Sequence, residues 1–101
     1  MRNINTEKSP QAIGPYSQGI ISGNLIFVSG QIPLDADGKL VSDDIQEQTR
    51  QCLRNISHIL EEAGSSLEKV IKTTIYLVDM DDFARVNEVY AGFFTEPYPA
   101  R

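Results

Sequence analysis

The sequence predicts an α+β fold, a sheet with two helices on one of its faces, and three observations carry that expectation. Short β-rich runs punctuated by turn residues extend as far as Leu40; a helical period takes over from Asp43; and a strand followed by a second helix begins at Val70. The chain of 101 residues is one domain, spanning 1–101, large enough to bury roughly two-thirds of its unfolded surface without staples.

In Ile13-Gly14-Pro15-Tyr16-Ser17-Gln18-Gly19, Pro15 locks φ and gives up a donor, while Gly14 and Gly19 are conformationally permissive. The turn between them aims Tyr16, whose ring packs while its hydroxyl bonds. Ile20-Ile21 and Leu25-Ile26-Phe27-Val28 flank Ser22-Gly23-Asn24, which is hairpin punctuation. The second arm ends in Ser29-Gly30, and glycine at a strand end marks either a close approach or simple fraying before Pro33. Leu34 to Leu40 superficially resembles a calcium loop. With Gly38 at the loop's sixth position, however, Pro33 falls first and Asp44 last, so the segment is a hairpin tip.

Ile45, Thr49, Cys52, Leu53, Ile56, Ile59, Leu60 and Ala63 form the apolar stripe of the first helix, capped by Ser42 or Asp43 and stopped by Gly64. Cys52 on that stripe is a small core residue, and His58 lies off it. Val70 to Val78 alternates as a strand, with Ile71, Thr73, Ile75 and Leu77 on one side. A strand–helix–strand order favours a parallel pair in a mixed sheet. Asp79 to Asp82 caps the second helix, whose stripe is Phe83, Val86, Asn87, Tyr90, Phe93 and Phe94. Asn87 is an amide on an apolar face and a candidate site wall. Pro97 and Pro99 end the helix.

A net charge of −5 with no Lys/Arg run argues against a sequence-independent grip on nucleic acid. One cysteine excludes an internal disulfide, the N-terminus lacks a signal-peptide core, and no apolar run approaches a bilayer span, so a cytoplasmic protein is expected. One His and one Cys supply neither a zinc set nor a catalytic pair, and there is no phosphate-binding glycine loop. What remains is Tyr16 on a rigid turn, Ser29-Gly30 at a strand end, Asn87 on a helix stripe and Arg101 after Pro-Ala. Arginine grips a carboxylate through paired charge-assisted bonds, so these residues suit a small-anion pocket.

The Gly-Pro-Tyr-Ser-Gln-Gly segment, Ser29-Gly30-Gln31-Ile32-Pro33, Phe93-Phe94-Thr95-Glu96 and Pro99-Ala100-Arg101 together resemble the Rid family of reactive intermediate deaminases. The family is also called YjgF or translation-inhibitor endoribonuclease, and within it the chain looks most like the RidA branch. The resemblance implies a chorismate-mutase-like fold, a homotrimer with sites between subunits, and cofactor-free hydrolysis of 2-imino or enamine acids, such as 2-iminobutanoate and 2-iminopropanoate. The products would be 2-keto acids and ammonia. Carried over by position, Arg101 and Tyr16 are the catalytic pair: Arg101 binds the substrate carboxylate and Tyr16 is a hydrogen-bonding wall, not a base. Ser29 and Gly30 shape the floor, and Asn87 stands at the wall.

Family members continue past this arginine with two β segments, roughly Ser-x-Val-Glu-Val and Val-Glu-Ile-Glu, the second carrying a glutamate assigned to water activation. Neither segment is in this sequence, so a C-terminally truncated and inactive chain is the expectation. Two alternatives of other classes are a non-catalytic small-carboxylate-binding or regulatory module, and an endoribonuclease. No metal, membrane or nucleic-acid partner is expected.

Overall fold

Gly23 takes a positive φ of 60° at the first position of a two-residue loop, while Asn24 does not, which is the pattern of a II′ hairpin turn. The turn joins β2 (Gly19–Ser22) to β3 (Leu25–Val28) in the expected hairpin, with Ser22 opposite Leu25 and Gly19 opposite Val28. A computed structural model describes all of residues 1–101. It adds a strand the sequence pattern did not announce, β1 (Arg2–Ile4), antiparallel to β2 with Ile4 opposite Gly19. Cross-strand partners share a face. Gly19, Val28 and Ile4 therefore face inward together with Ile21 and Ile26, and Ile20, Leu25 and Phe27 face outward.

Gly19 is required for space, not for the dihedral freedom the sequence suggested. Its φ is not positive, but a Cβ there would lie 3.1 Å from Ile4 Cδ1 and from the Phe27 carbonyl, and 3.2 Å from Ile59 Cγ2. That close approach lets α1 (Ile45–Glu62) settle onto the hairpin. The cap of α1 is Asp44, one residue past the expected pair: its carboxylate accepts from the Glu47 N–H at 3.0 Å, while the Ser42 hydroxyl accepts from the Asp44 N–H at 2.9 Å. At the far end Gly64 (φ 81°) closes the helix. The Ser65 N–H donates to the Leu60 carbonyl and the Gly64 N–H to that of Glu61, the two bonds of a Schellman motif.

The hairpin tip at Asp35 is also present. Its carboxylate is spent on its own turn, accepting from the N–H groups of Asp37 (2.9 Å) and Lys39 (3.0 Å), and Gly38 takes a φ of 80°.

The expected strand over 70–78 is extended but makes no ladder. The Thr73 N–H donates to the Ala100 carbonyl and the Ala100 N–H to that of Ile71, giving one isolated parallel bridge, and Thr74 to Val78 make no backbone–backbone bond. The sheet is thus antiparallel throughout, not mixed. Periodicity reports which side chains meet the core, and here it does so. Thr73, Ile75 and Leu77 are half-buried while Lys72, Thr74, Tyr76 and Val78 are exposed. Ile71, expected inward, is exposed as well. A ladder also needs a neighbouring strand, and none runs beside this segment.

A short 3₁₀ turn, Met80–Asp82, leads into α2 (Phe83–Phe93), with the Asp79 carboxylate accepting from the Asp81 N–H at 2.9 Å. The two helices pack on each other around Leu53, Tyr90 and Phe94, with Ile56, Leu67, Val70, Ile75 and Phe93 closing the cluster. Tyr90 and Phe94 stack at 4.6 Å between ring centroids. Three buried polar residues tie the loops to this frame. Ser9 donates its hydroxyl to the Asn55 carbonyl at 2.9 Å; the Asn55 amide donates to the carbonyls of Ile32 (3.2 Å) and Leu34 (2.9 Å); and Gln18 binds the N-terminal loop. No helix is long and apolar enough to cross a membrane.

Candidate functional site

Two groups of residues emerge, each fixed by different chemistry. The first is the Gly-Pro-Tyr turn. The Tyr16 N–H donates to the Gly14 carbonyl at 2.8 Å, a γ-turn centred on Pro15, and the ring of Tyr16 lies alongside Gly14 with half its surface exposed. Gly14 itself has no positive φ, and a Cβ there would meet the ring at an ordinary contact distance of 3.5 Å, so neither dihedral freedom nor space requires a glycine at this position. Behind the turn, the buried Gln18 amide accepts from the Thr6 N–H at 2.7 Å. It also donates to the carbonyls of Thr6 (3.1 Å) and Pro10 (2.9 Å). Ser29 stitches β3 to the same loop: its N–H donates to the Gln18 carbonyl at 2.9 Å and its hydroxyl to that of Ser17 at 2.6 Å. With that hydroxyl engaged, Ser29 serves the site as a brace. Gly30 is exposed, and nothing lies within 4 Å of where its Cβ would be, which leaves room for a ligand or a neighbouring chain.

The second group surrounds Arg101. Its Nη2 donates to the Asn87 Oδ1 at 2.7 Å, and its guanidinium carbon sits 4.7 Å from the centroid of the Tyr90 ring and 5.5 Å from that of Phe83. Asn87, placed at the wall by the sequence, thus has an arginine for its partner on the apolar face. The Tyr90 hydroxyl in turn shares a 2.7 Å hydrogen bond with the Thr73 hydroxyl. Asn87, Tyr90, Ala91, Tyr98, Pro99 and Arg101 line an open cleft of about 410 Å³.

Sequence reasoning missed Tyr90, Phe83 and Tyr98 as site residues. Tyr90 stood on the helix stripe as an ordinary core residue, and the available signal was its hydroxyl, since a buried phenol needs a partner.

The structure brings Asn87 and Arg101 together. It does not join them to Tyr16, Ser29 and Gly30: none of these three lines the Arg101 cleft, and no hydrogen bond or ring contact links the two groups.

Cys52 and His58 stay outside both groups. His58 is partly buried, its Nδ1 lying 3.1 Å from the Lys8 carbonyl, to which it donates. Burial pushes the Cys52 thiol up to about 11. Compared with the ordinary value of 9.0, that shift means roughly 100-fold less thiolate at neutral pH. Cys52 is accordingly expected to react with iodoacetamide about 100-fold more slowly than a free cysteine, and to reach the free rate on unfolding in urea. A native-state rate equal to that of free cysteine contradicts the burial.

The fold and the Arg101 cleft define a small α+β protein whose guanidinium is held by an amide and backed by an aromatic ring in an open cleft. The model of the family described as endoribonuclease L-PSP matches residues 6–101. A RutC family protein of Pyrococcus abyssi is 58% identical over 99 residues, spanning 97% of this chain and 78% of its own. A human protein named 2-iminobutanoate/2-iminopropanoate deaminase is 46% identical over 101 residues, covering 99% of this chain and 74% of that one. Among solved structures, RidA from an Antarctic Psychrobacter superposes with a TM-score of 0.95 at 41% identity, over 100% of this chain and 82% of its own. The chain belongs to the Rid (YjgF, endoribonuclease L-PSP) family.

Proposed function

We propose that this protein hydrolyses 2-imino acids, or their enamine tautomers, to 2-keto acids and ammonia, with 2-iminobutanoate and 2-iminopropanoate as substrates. The observation that carries the reading is the Arg101 guanidinium, held by Asn87 and backed by Tyr90 in an open cleft. Every such substrate carries a carboxylate next to the reacting carbon, and a guanidinium binds it through two parallel bonds. The protonated imine is already electrophilic, so holding it at a fixed distance from water supplies much of the acceleration. Water adds to the imine carbon to give a carbinolamine, a proton passes from oxygen to nitrogen, and the C–N bond breaks with ammonia as leaving group. The 46% sequence identity to the human protein named 2-iminobutanoate/2-iminopropanoate deaminase supports the assignment.

In this reading the active form is a homotrimer of chorismate-mutase-like subunits. Tyr16, Ser29 and Gly30 of one subunit complete the cleft that holds Asn87 and Arg101 of its neighbour. Two features support it. The site residues fall into two unconnected groups within one chain. In addition, the sheet side turned away from the helices exposes Leu25 and Phe27, and the segment 70–78 exposes Tyr76 and Val78, in a molecule only 18 Å thick along its shortest axis.

Iminobutanoate generated by a threonine dehydratase is expected to yield 2-ketobutyrate faster in the presence of this protein extended by the family's two C-terminal β segments, and native mass spectrometry is expected to show three copies. An unchanged rate of 2-ketobutyrate formation rejects the deaminase. Saturable 2-ketobutyrate binding without turnover would instead indicate a carboxylate-binding module. The family's description as endoribonuclease L-PSP raises RNA cleavage as the second reading, and cleavage that survives further purification would favour it. The net charge of −5 opposes it.

A further inference from the structure

The guanidinium of Arg101 has five N–H donors on a flexible stem, and an unsupported arginine on a surface samples many orientations. Here two different supports meet it. The Asn87 amide oxygen accepts one Nη2 hydrogen at 2.7 Å, which fixes one edge of the plane, and the Tyr90 ring lies 4.7 Å under the central carbon. Tyr90 is itself held twice. Its ring stacks on Phe94 at 4.6 Å, and its hydroxyl bonds the Thr73 hydroxyl at 2.7 Å. Thr73 belongs to the extended segment whose N–H binds the Ala100 carbonyl, one residue before Arg101. The same threonine therefore fixes both the ring beneath the guanidinium and the backbone that carries it.

We propose that Thr73, Tyr90 and Asn87 are positioning residues that set the plane of the Arg101 guanidinium before any ligand arrives. Asn87 consumes one donor and leaves four, enough for a paired grip on a carboxylate. None of the three needs to touch the ligand. The ligand part of this inference rests on the carboxylate-binding reading of Arg101, whereas the orientation of the side chain does not.

The test has two parts. In a proton–nitrogen NMR spectrum of the native protein, the Arg101 Nε–H is expected to be shifted upfield by the Tyr90 ring, assigned by its loss in Arg101→Lys. The shift should persist in Tyr90→Phe and vanish in Tyr90→Leu. Calorimetric titration with 2-ketobutyrate is the second part. Tyr90→Leu is expected to weaken binding about 10-fold, the range set by loss of a cation–π support, and in the 2-ketobutyrate-formation assay to raise KM more than it lowers kcat. Thr73→Val and Tyr90→Phe should each weaken it about 3-fold, and the double variant no further, because the two changes remove one shared bond.

An Arg101 Nε–H without an upfield shift in the native protein overturns the proposal, whatever the variants do. Folded Tyr90→Leu with native 2-ketobutyrate affinity also overturns it. If the native protein binds no 2-ketobutyrate, the carboxylate reading fails, and the presence or loss of the NMR shift still decides the orientation.

Discussion

Arg101→Ala is expected to lower kcat/KM for 2-iminobutanoate by roughly 100- to 1,000-fold, the equivalent of about 3–4 kcal/mol of lost charge-assisted bonding. The change removes the only cation lining the cleft and leaves Asn87 and Tyr90 facing a void. Much of the loss should appear in KM, because the carboxylate is bound in the ground state and the transition state alike. Arg101→Lys should recover only a small part. An ammonium has no planar fork for a carboxylate and stacks less well on an aromatic ring. The measurement is 2-ketobutyrate formation from imine generated in situ, with the uncatalysed rate subtracted. Wild-type rates in Arg101→Ala would remove this arginine from the mechanism.

Asn55→Leu is expected to destabilise the protein by about 2–4 kcal/mol, read as a fall in the urea midpoint at unchanged m-value. Asn55 is fully buried, yet every polar atom of its side chain is used. Its amide N–H groups reach the carbonyls of Ile32 and Leu34, and its Oδ1 accepts from Gln51 Nε2 at 2.9 Å. A leucine of similar size fills the space and strands all three partners. Asn55→Asp should be worse at pH 7, because an acceptor carrying charge would then face two carbonyl oxygens. Indifference to both changes would mean that the Ile32–Leu34 segment is held by something else. That segment carries a second γ-turn, Leu34 N–H to Ile32 carbonyl at 2.7 Å about Pro33, close behind Gly30. A looser segment should therefore lower activity as well.

The hairpin at Gly23, the Asp35 turn and the span of α1 were legible because each depends on local chemistry, a positive φ, a carboxylate over its own backbone or a 3.6-residue period. The segment 70–78 shows the limit. Its alternation identified Thr73, Ile75 and Leu77 as the inner face, but hydrogen-bond pairing depends on what runs alongside, and no pattern within a segment contains that. Asn55 and Gln18 were passed over for a related reason. A buried amide looks like a surface amide until its partners, distant in sequence, are known. At the site, Asn87 was visible as an anomaly, whereas Tyr90 was not, since an aromatic on an apolar stripe raises no question. The separation of Tyr16, Ser29 and Gly30 from Arg101 is a matter of tertiary distance and left no trace in the spacing.

The Gln18 amide, wrapped by Thr6, Ser9 and Pro10, has a consequence for how tightly a ligand could be held. A loop that becomes ordered only when its ligand arrives gives up affinity for every rotor it freezes. Here the ordering of residues 13–19 is completed during folding, by an amide two positions from Tyr16 on the side away from solvent. Under the proposed deaminase reading, the loop would meet the substrate already arranged, and whatever binding energy the phenol supplies would be left undiminished by the entropy of arranging it.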